Sequence, residues 1–261
     1  MSGGDPNDGP ARSVERLGDG AFDPRFLAAR ASGTADGWRA LAEEVAPHAW
    51  RVPMLTPEFA TTLLGEIDAR RQVLLDAGEE LDAPNSMHAH GVALDELLLE
   101  WVLDDLLANA VRPIARHLFT EFAGADLDAH HGYLVEYAKD ADQDLGFHVD
   151  DSEVTLNLCL GDAPFDGSEL TLMGLRCELH RQTVVFGDET IEVEHRPGTA
   201  ILHAGAHRHR VEPIRRGRRR NLILWCRASS RRGGARTIQC EPWCGMYAGP
   251  QRAAHGRPRS S

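Results

Sequence analysis

At Gly132 the chain changes period. Seven short runs follow, at residues 132–138, 153–160, 169–173, 190–195, 199–203, 207–214 and 220–228, with Gly, Pro and Asp in the gaps. Short β-branched and apolar runs bounded by turn formers read as strands. A succession of them with no helical stretch between argues for a double-sheet jelly roll over an alternating parallel sheet.

The first half of the chain has the other period. Thr56-Pro57 supplies an N-cap with proline at the first helical position. Phe59, Leu63, Leu64, Ile67 and Leu74 then recur at helical spacing, and Gly78 supplies a stop. A second helical tract spans 94–122, with Pro113 expected to kink or split it. Residues 38–45 read as a short helix, 51–55 as a short strand and 79–91 as a polar loop. The expected fold is therefore mainly β with N-terminal α-helices, a double-stranded β-helix (jelly roll) core packed on helices. The expected divisions are a disordered tail at 1–20, a helical region at 21–131, the core at 132–228 and an irregular tail at 229–261. The first of these is rich in Gly, Pro, Asp and Ser and has too little apolar surface to offset its ordering entropy.

Composition sets further bounds. In 261 residues, 42% hydrophobic content suffices for one sizeable core. A net charge of -12 argues against nucleic acid as a general partner. Arg208, Arg210, Arg215, Arg216, Arg218, Arg219 and Arg220 make one segment basic, which reads mostly as a solvated turn between strands. No apolar run approaches the roughly 20 residues of a membrane span, and no secretory signal is visible, so no membrane partner is expected. Five cysteines, an odd and sparse set, fit free thiols in a reducing cytoplasm. Oligomeric state is not legible.

His148 and Asp150 are one residue apart. In an extended segment they share a face. An imidazole and a carboxylate there supply two of the three ligands of a facial iron(II) site, the third being a distant histidine. His203, His207 and His209 are all candidates, and the spacing leaves the choice open. The sequence neighbours of Arg219 are polar on one side and strongly apolar on the other. If it enters the barrel it needs a carboxylate partner, because an unpaired buried charge is expensive. A dicarboxylate co-substrate and a protein Asp or Glu serve equally well at this level. Thr155, Asn157 and Cys159 share one face of a strand, opposite Val154, Leu156, Leu158 and Leu160. That small polar face either lines a pocket or is solvated.

Taken together, His148-x-Asp150, Phe165 to Leu170, Gly198-Thr199-Ala200, His209-x-Val211-x-Pro213, Gly217-x-Arg219 and Trp225 resemble the prolyl 4-hydroxylase-like iron(II)- and 2-oxoglutarate-dependent oxygenases in order and spacing. Pro84-Asn85-Ser86-Met87, Asp144-Leu145-Gly146, Ser152 to Asn157, Leu202-His203 and Asn221 to Ile223 bring the resemblance closest to the group called 2-oxoglutarate and iron-dependent oxygenase domain-containing protein 2. The resemblance runs from about Trp50 to Cys244. It implies His148, Asp150 and His209 as iron ligands, Arg219 as the residue for the distal carboxylate of 2-oxoglutarate, and Tyr137 as its helper. Thr155 and Asn157 join the expected cofactor-binding set. It further implies molecular oxygen, release of succinate and carbon dioxide, and hydroxylation of a small molecule or a protein side chain. Ascorbate is admitted as a further cofactor.

Three departures stand out: Gly167-Ser168 where relatives carry Gly-Gly, a wide Cys240–Cys244 spacing, and a heavy Arg215 to Arg220 run. The alternative function is a catalytically silent jelly-roll module that binds a metal or ligand. A zinc site from Cys240, Cys244 and a partner such as His255 has too few cysteines to be favoured, so these read as packing residues or free thiols.

Overall fold

The computed structural model describes residues 17–161, 164–232 and 239–247. Two helices, α1 (Pro24–Ser32) and α2 (Ala35–Leu41), lead into a hairpin of β1 (Glu43–Ala46) and β2 (Ala49–Pro53). Next come α3 (Pro57–Asp76), β3 (Gly91–Ala93), α4 (Glu100–Leu106) and α5 (Arg112–Leu118). The strands β4 (Ala129–Ala138), β5 (Leu145–His148), β6 (Val154–Gly161), β7 (Asp166–Gly167) and β8 (Leu170–Leu175) follow. The rest are β9 (Thr190–Val193), β10 (Thr199–Ala204), β11 (His207–Val211), β12 (Ile214–Arg216) and β13 (Arg218–Arg227), then a short α6 (Ser229–Arg232). One sheet has the order β1-β2-β10-β6-β13-β4-β3 and a second the order β5-β11-β8-β9, with β12 and β7 as a separate pair. The fold is the expected jelly roll packed on helices.

Alternation along β6 and β13 explains the layering. Val154, Leu156, Leu158 and Leu160 face the helices, as do Leu222, Leu224 and Cys226. There they meet Leu63, Ile67, Leu103 and Ile114. The alternate residues face the smaller sheet, where Ile223 packs with Tyr133, Tyr137, Leu170, Leu172 and Val211. Both faces of the larger sheet are thus covered. Each fully buried Leu or Ile contributes about 1.5–3 kcal/mol from apolar burial. Gly132 allows the close approach on the helix side: a Cβ there would sit 2.6 Å from Leu103 Cδ2.

Thr56 caps α3 as expected, its Oγ1 accepting from Phe59 N at 3.2 Å. The second helical tract is interrupted by a π-helical turn, Leu107–Val111, just before Pro113. Proline cannot donate to the carbonyl four residues back. That carbonyl, on Asn109, accepts from Arg30 Nη1 of α1 at 3.4 Å instead.

Several expectations are corrected. The helix expected at 38–45 ends at Leu41, and Glu43 and Glu44 pair with Arg51 and Trp50 as a strand. The polar loop at 79–91 ends in an edge strand, β3, on β4. The region 21–131, expected as helical, thus also lends β1, β2 and β3 to the larger sheet. The run 207–214 divides because Pro213 has no N–H to offer a ladder; Ile214 pairs with Gly167 instead of continuing β11. Leu17 is buried and donates its N–H to Asp105 Oδ2 at 2.9 Å, so the described end of the 1–20 segment is packed on the fold. Residues 1–16 lie outside the described residues.

The basic segment is not a bare solvated turn. Arg215 pairs with Asp166 and Glu169, Arg218 with Glu136 and Asp140, and Arg220 with Asp68. Arg208 is fully buried and donates to the carbonyls of Met173, Thr183 and Val184.

Candidate metal centre

Register places the site. His209 on β11 is the direct partner of His148 at the end of β5. Two residues on, Asp150 N donates to Gly205 O at 3.1 Å, which turns the carboxylate back toward the pair. Gly205 is needed there, because a Cβ would lie 2.0 Å from Ser152 O. His148 Nε2 and His209 Nε2 each lie 3.7 Å from Asp150 Oδ1. One ligand atom from each of the three residues falls within 4.8 Å of the others.

Hydrogen bonds fix which atoms face inward. His148 Nδ1–H donates to Gly146 O at 2.7 Å, and His209 Nδ1–H donates to His207 O at 2.9 Å. Both Nε2 lone pairs are left for a common ligand, the arrangement metal-binding imidazoles need. Thr155 Oγ1 donates to Asp150 Oδ2 at 2.7 Å and is itself met by Ser152 Oγ at 2.7 Å. That leaves Oδ1 for the imidazoles.

Burial and the neighbouring His209 push the His148 imidazole down to about 4, so it is neutral and a competent ligand at pH 7. Burial pushes the Asp150 carboxyl up, but His209, His203, His148 and the Thr155 bond together hold it below its ordinary value. Two neutral imidazoles and an ionised carboxylate on one side of an open cleft could hold a hard-to-borderline divalent metal facially.

The open choice of third histidine narrows here. His203, on β10, lies 3.8 Å from Asp150 Oδ2, the oxygen Thr155 already engages. His207 opens β11 and is buried, and its Nδ1 turns toward Arg208 O. Only His209 joins His148 and Asp150 around Oδ1.

Arg219 lies in β13 with no exposed surface. Its Nε donates to Ser168 Oγ at 2.5 Å. The Asn221 amide oxygen accepts from its Nη1 at 3.0 Å. The guanidinium carbon sits 4.5 Å from the Tyr137 ring centroid. Nη2 has no hydrogen-bond partner, and among the described residues no carboxylate pairs with the side chain. The protein carboxylate that sequence left open is therefore not found.

A cleft opens at the three candidate ligands, lined also by Tyr137, Thr155, Asn157 and His203 among others. Thr155, Asn157 and Cys159 are all buried, so their face is not the solvated one. In the amide orientation that accepts from Arg219, the Asn221 oxygen also faces the Asn157 side-chain amide at 2.5 Å, so Asn157 reaches Arg219 through Asn221 by presenting its N–H there.

Residues 12–124 match the OGFOD2-like domain. The 2-oxoglutarate and iron-dependent oxygenase domain-containing protein CP2 of Arabidopsis thaliana is 44% identical over 208 residues, covering 80% of this chain and 52% of that protein. The 2-oxoglutarate and iron-dependent oxygenase domain-containing protein 2 of Mus musculus is 35% identical over 248 residues, covering 89% and 66%. The chain belongs to the OGFOD2-like family. It spans about half to two thirds of the length of these relatives. A prolyl 4-hydroxylase from Phytophthora capsici shares the fold, with TM-score 0.53 at 17% identity over 87% of this chain and 74% of that one.

Three groups around the OGFOD2-like site escaped sequence reasoning. His88 accepts from Tyr137 OH through Nε2 at 2.9 Å, its Nδ1–H donating to Asn85 Oδ1 at 3.1 Å. Burial pushes this imidazole down to about 4. Asp142 holds the same loop by accepting from the N–H groups of Ala89 and His90. Ser168 is the third, buried in a left-handed conformation at φ 56°. The motif Pro84 to Met87 pointed at the loop but stopped one residue short of His88, and Gly167-Ser168 was visible only as a departure.

Proposed function

We propose that this chain is an iron(II)- and 2-oxoglutarate-dependent dioxygenase that hydroxylates its substrate with release of succinate and carbon dioxide. In this reading His148, Asp150 and His209 hold the iron, and Arg219 takes the distal carboxylate of 2-oxoglutarate. The observation that carries it is the buried Arg219 guanidinium with Nη2 unsatisfied and no protein carboxylate beside it. A planar guanidinium in a low-dielectric wall is matched by a carboxylate, which satisfies its charge and its free donor together. The donor set of two imidazoles and one carboxylate fits iron(II). When bound, the iron and co-substrate supply the oxidising power for an unactivated C–H bond.

The chain's own residues bind and orient. Ser168 and Asn221 fix two edges of Arg219, and Tyr137 supports its face, so the remaining edge is aimed before any ligand arrives. Thr155 holds Asp150 Oδ2 and thereby turns Oδ1 to the metal position. In this reading Thr155 and Asn157 act on the cofactor site through Asp150 and Asn221. Leu145, Leu170, Val211 and Ile223 supply an aliphatic wall that limits water. Substrate, a small molecule or a protein side chain, would enter with oxygen by the open side of the cleft. We place the protein in the cytoplasm on the strength of its five free thiols. Ascorbate belongs to the proposal as a component whose omission the assay tests.

The experiment is turnover of 2-oxoglutarate to succinate by purified protein with iron(II), with and without ascorbate. Slow uncoupled turnover is expected from the parent chain, and its loss from His148→Ala and Asp150→Ala. Wild-type turnover in both variants would refute the assignment. Metal and 2-oxoglutarate binding without turnover would favour a silent binding module.

A further inference from the structure

A second group of metal-ligating side chains lies outside the cleft. Cys177 and His180 follow β8, and Cys240 and Cys244 come from the described turn at 239–247. Their ligand atoms all lie within 4.8 Å of one another. His180 Nδ1 is 3.3 Å from Cys177 Sγ, 3.5 Å from Cys244 Sγ and 3.6 Å from Cys240 Sγ.

One imidazole nitrogen cannot serve three thiols by hydrogen bonding, since it carries at most one proton or one lone pair in that direction. A shared cation explains the crowding. With Zn–S about 2.3 Å and Zn–N about 2.0–2.1 Å, a tetrahedral site puts nitrogen and sulfur about 3.6 Å apart along each edge. The observed separations sit at or just under that value. All the cysteines are free thiols, so no disulfide accounts for the approach.

We propose that Cys177, His180, Cys240 and Cys244 form a structural zinc site, separate from the iron centre and independent of the function proposed above. Four protein ligands close a tetrahedral site and leave no position for water or substrate, which marks a structural role. The spacing is Cys-x-x-His in one limb and Cys-x-x-x-Cys in the other. His255, the partner weighed from sequence, lies outside the described residues and is not needed. Sequence reasoning missed Cys177 and His180 because they lie more than 50 residues before the second limb.

Charge supports the assignment. Arg176 and Arg208 are both buried and share one carboxylate, Glu189, at 2.7 and 3.7 Å. That leaves one positive charge over. Three thiolates and a zinc ion carry one negative charge, and Cys244 lies within electrostatic reach of Arg208. Gly245, next to Cys244, donates its N–H to Leu175 O at 2.9 Å, and a Cβ there would strike Arg176 Nη1 at 2.3 Å. Cys177 N–H also points at Cys244 Sγ at 3.4 Å. The site would thus fasten the C-terminal turn to the end of β8, the strand paired with His209.

The test is metal content of protein purified without chelator, using His148→Ala/His209→Ala to disable the cleft. About one zinc per chain is expected, and its loss from Cys240→Ser/Cys244→Ser in that background. Cobalt(II) substitution of the chain should give a tetrahedral spectrum with thiolate charge-transfer bands. This reading does not depend on a serine variant that folds. Absence of zinc with reactive native thiols, a Cys240–Cys244 disulfide, or zinc retained in the serine variant would overturn the proposal, as would an octahedral cobalt spectrum.

Discussion

The guanidinium of Arg219 lies over the ring of Tyr137, its carbon 4.5 Å from the centroid. Ring and cation are both buried, so the contact holds charge where a carboxylate would otherwise be expected. The Tyr137 hydroxyl is meanwhile turned away to His88 Nε2. Tyr137 therefore supports the cation's face without competing for its free Nη2.

Arg219→Met tests the split between binding and stability. It removes charge-assisted hydrogen bonds worth about 1.5–3 kcal/mol, so KM for 2-oxoglutarate should rise by about tenfold or more. An unpaired buried charge is itself costly, so the melting temperature of the metal-free variant should hold or rise. An unchanged KM in the succinate assay would remove Arg219 from the co-substrate site.

Thr155→Val keeps the shape of the side chain and deletes the hydroxyl that engages Asp150 Oδ2. Loss of a partner that orients a ligand costs about 10–100-fold in metal affinity. Titration with iron(II) under anaerobic conditions should show that weakening while the circular dichroism spectrum is unchanged. Equal affinity would mean that Asp150 is oriented by its backbone alone.

Most of the architecture could be read from the chain because period carries it. The helical stripe Phe59 to Leu74 and the alternation in β6 and β13 each state which face is buried. The strands β1 and β3 were missed because three or four residues hold too little period to declare themselves, and the pairing of β3 with β4 is long-range. The His148–Asp150 pair was legible from a spacing of two. The choice of His209 over His203 was not, since it depends on which oxygen of Asp150 Thr155 occupies. Arg219 was legible as an anomaly, but only the fold shows that no described carboxylate meets it.

Ser168→Gly separates strain from function. A non-glycine residue at φ 56° costs about 1–2 kcal/mol in backbone energy, so glycine relieves strain there. It also removes the oxygen that accepts from Arg219 Nε. The variant should melt no lower than the parent yet show a raised KM for 2-oxoglutarate. A raised melting temperature with KM unmoved would make Ser168 a tolerated neighbour and not a positioning residue.

His88 gives the metal-free protein a defined pH dependence. Burial is the main cause of its depressed value near 4, with Asp142 and Asp150 opposing and His148 and Arg219 assisting. Tyr137 donates to its Nε2, which requires the neutral ring. In the unfolded chain the imidazole titrates near its ordinary value of about 6.5. Between about 6.5 and 4 the unfolded state therefore binds more protons than the folded one. Stability from this residue is complete above pH 6.5 and is lost as the pH falls toward 4, by at most about 3 kcal/mol. His88→Gln cannot titrate, so its urea-unfolding free energy should fall less steeply over that window than the parent's. Parallel slopes for the two proteins would show that His88 is not a group whose protonation unfolds the chain.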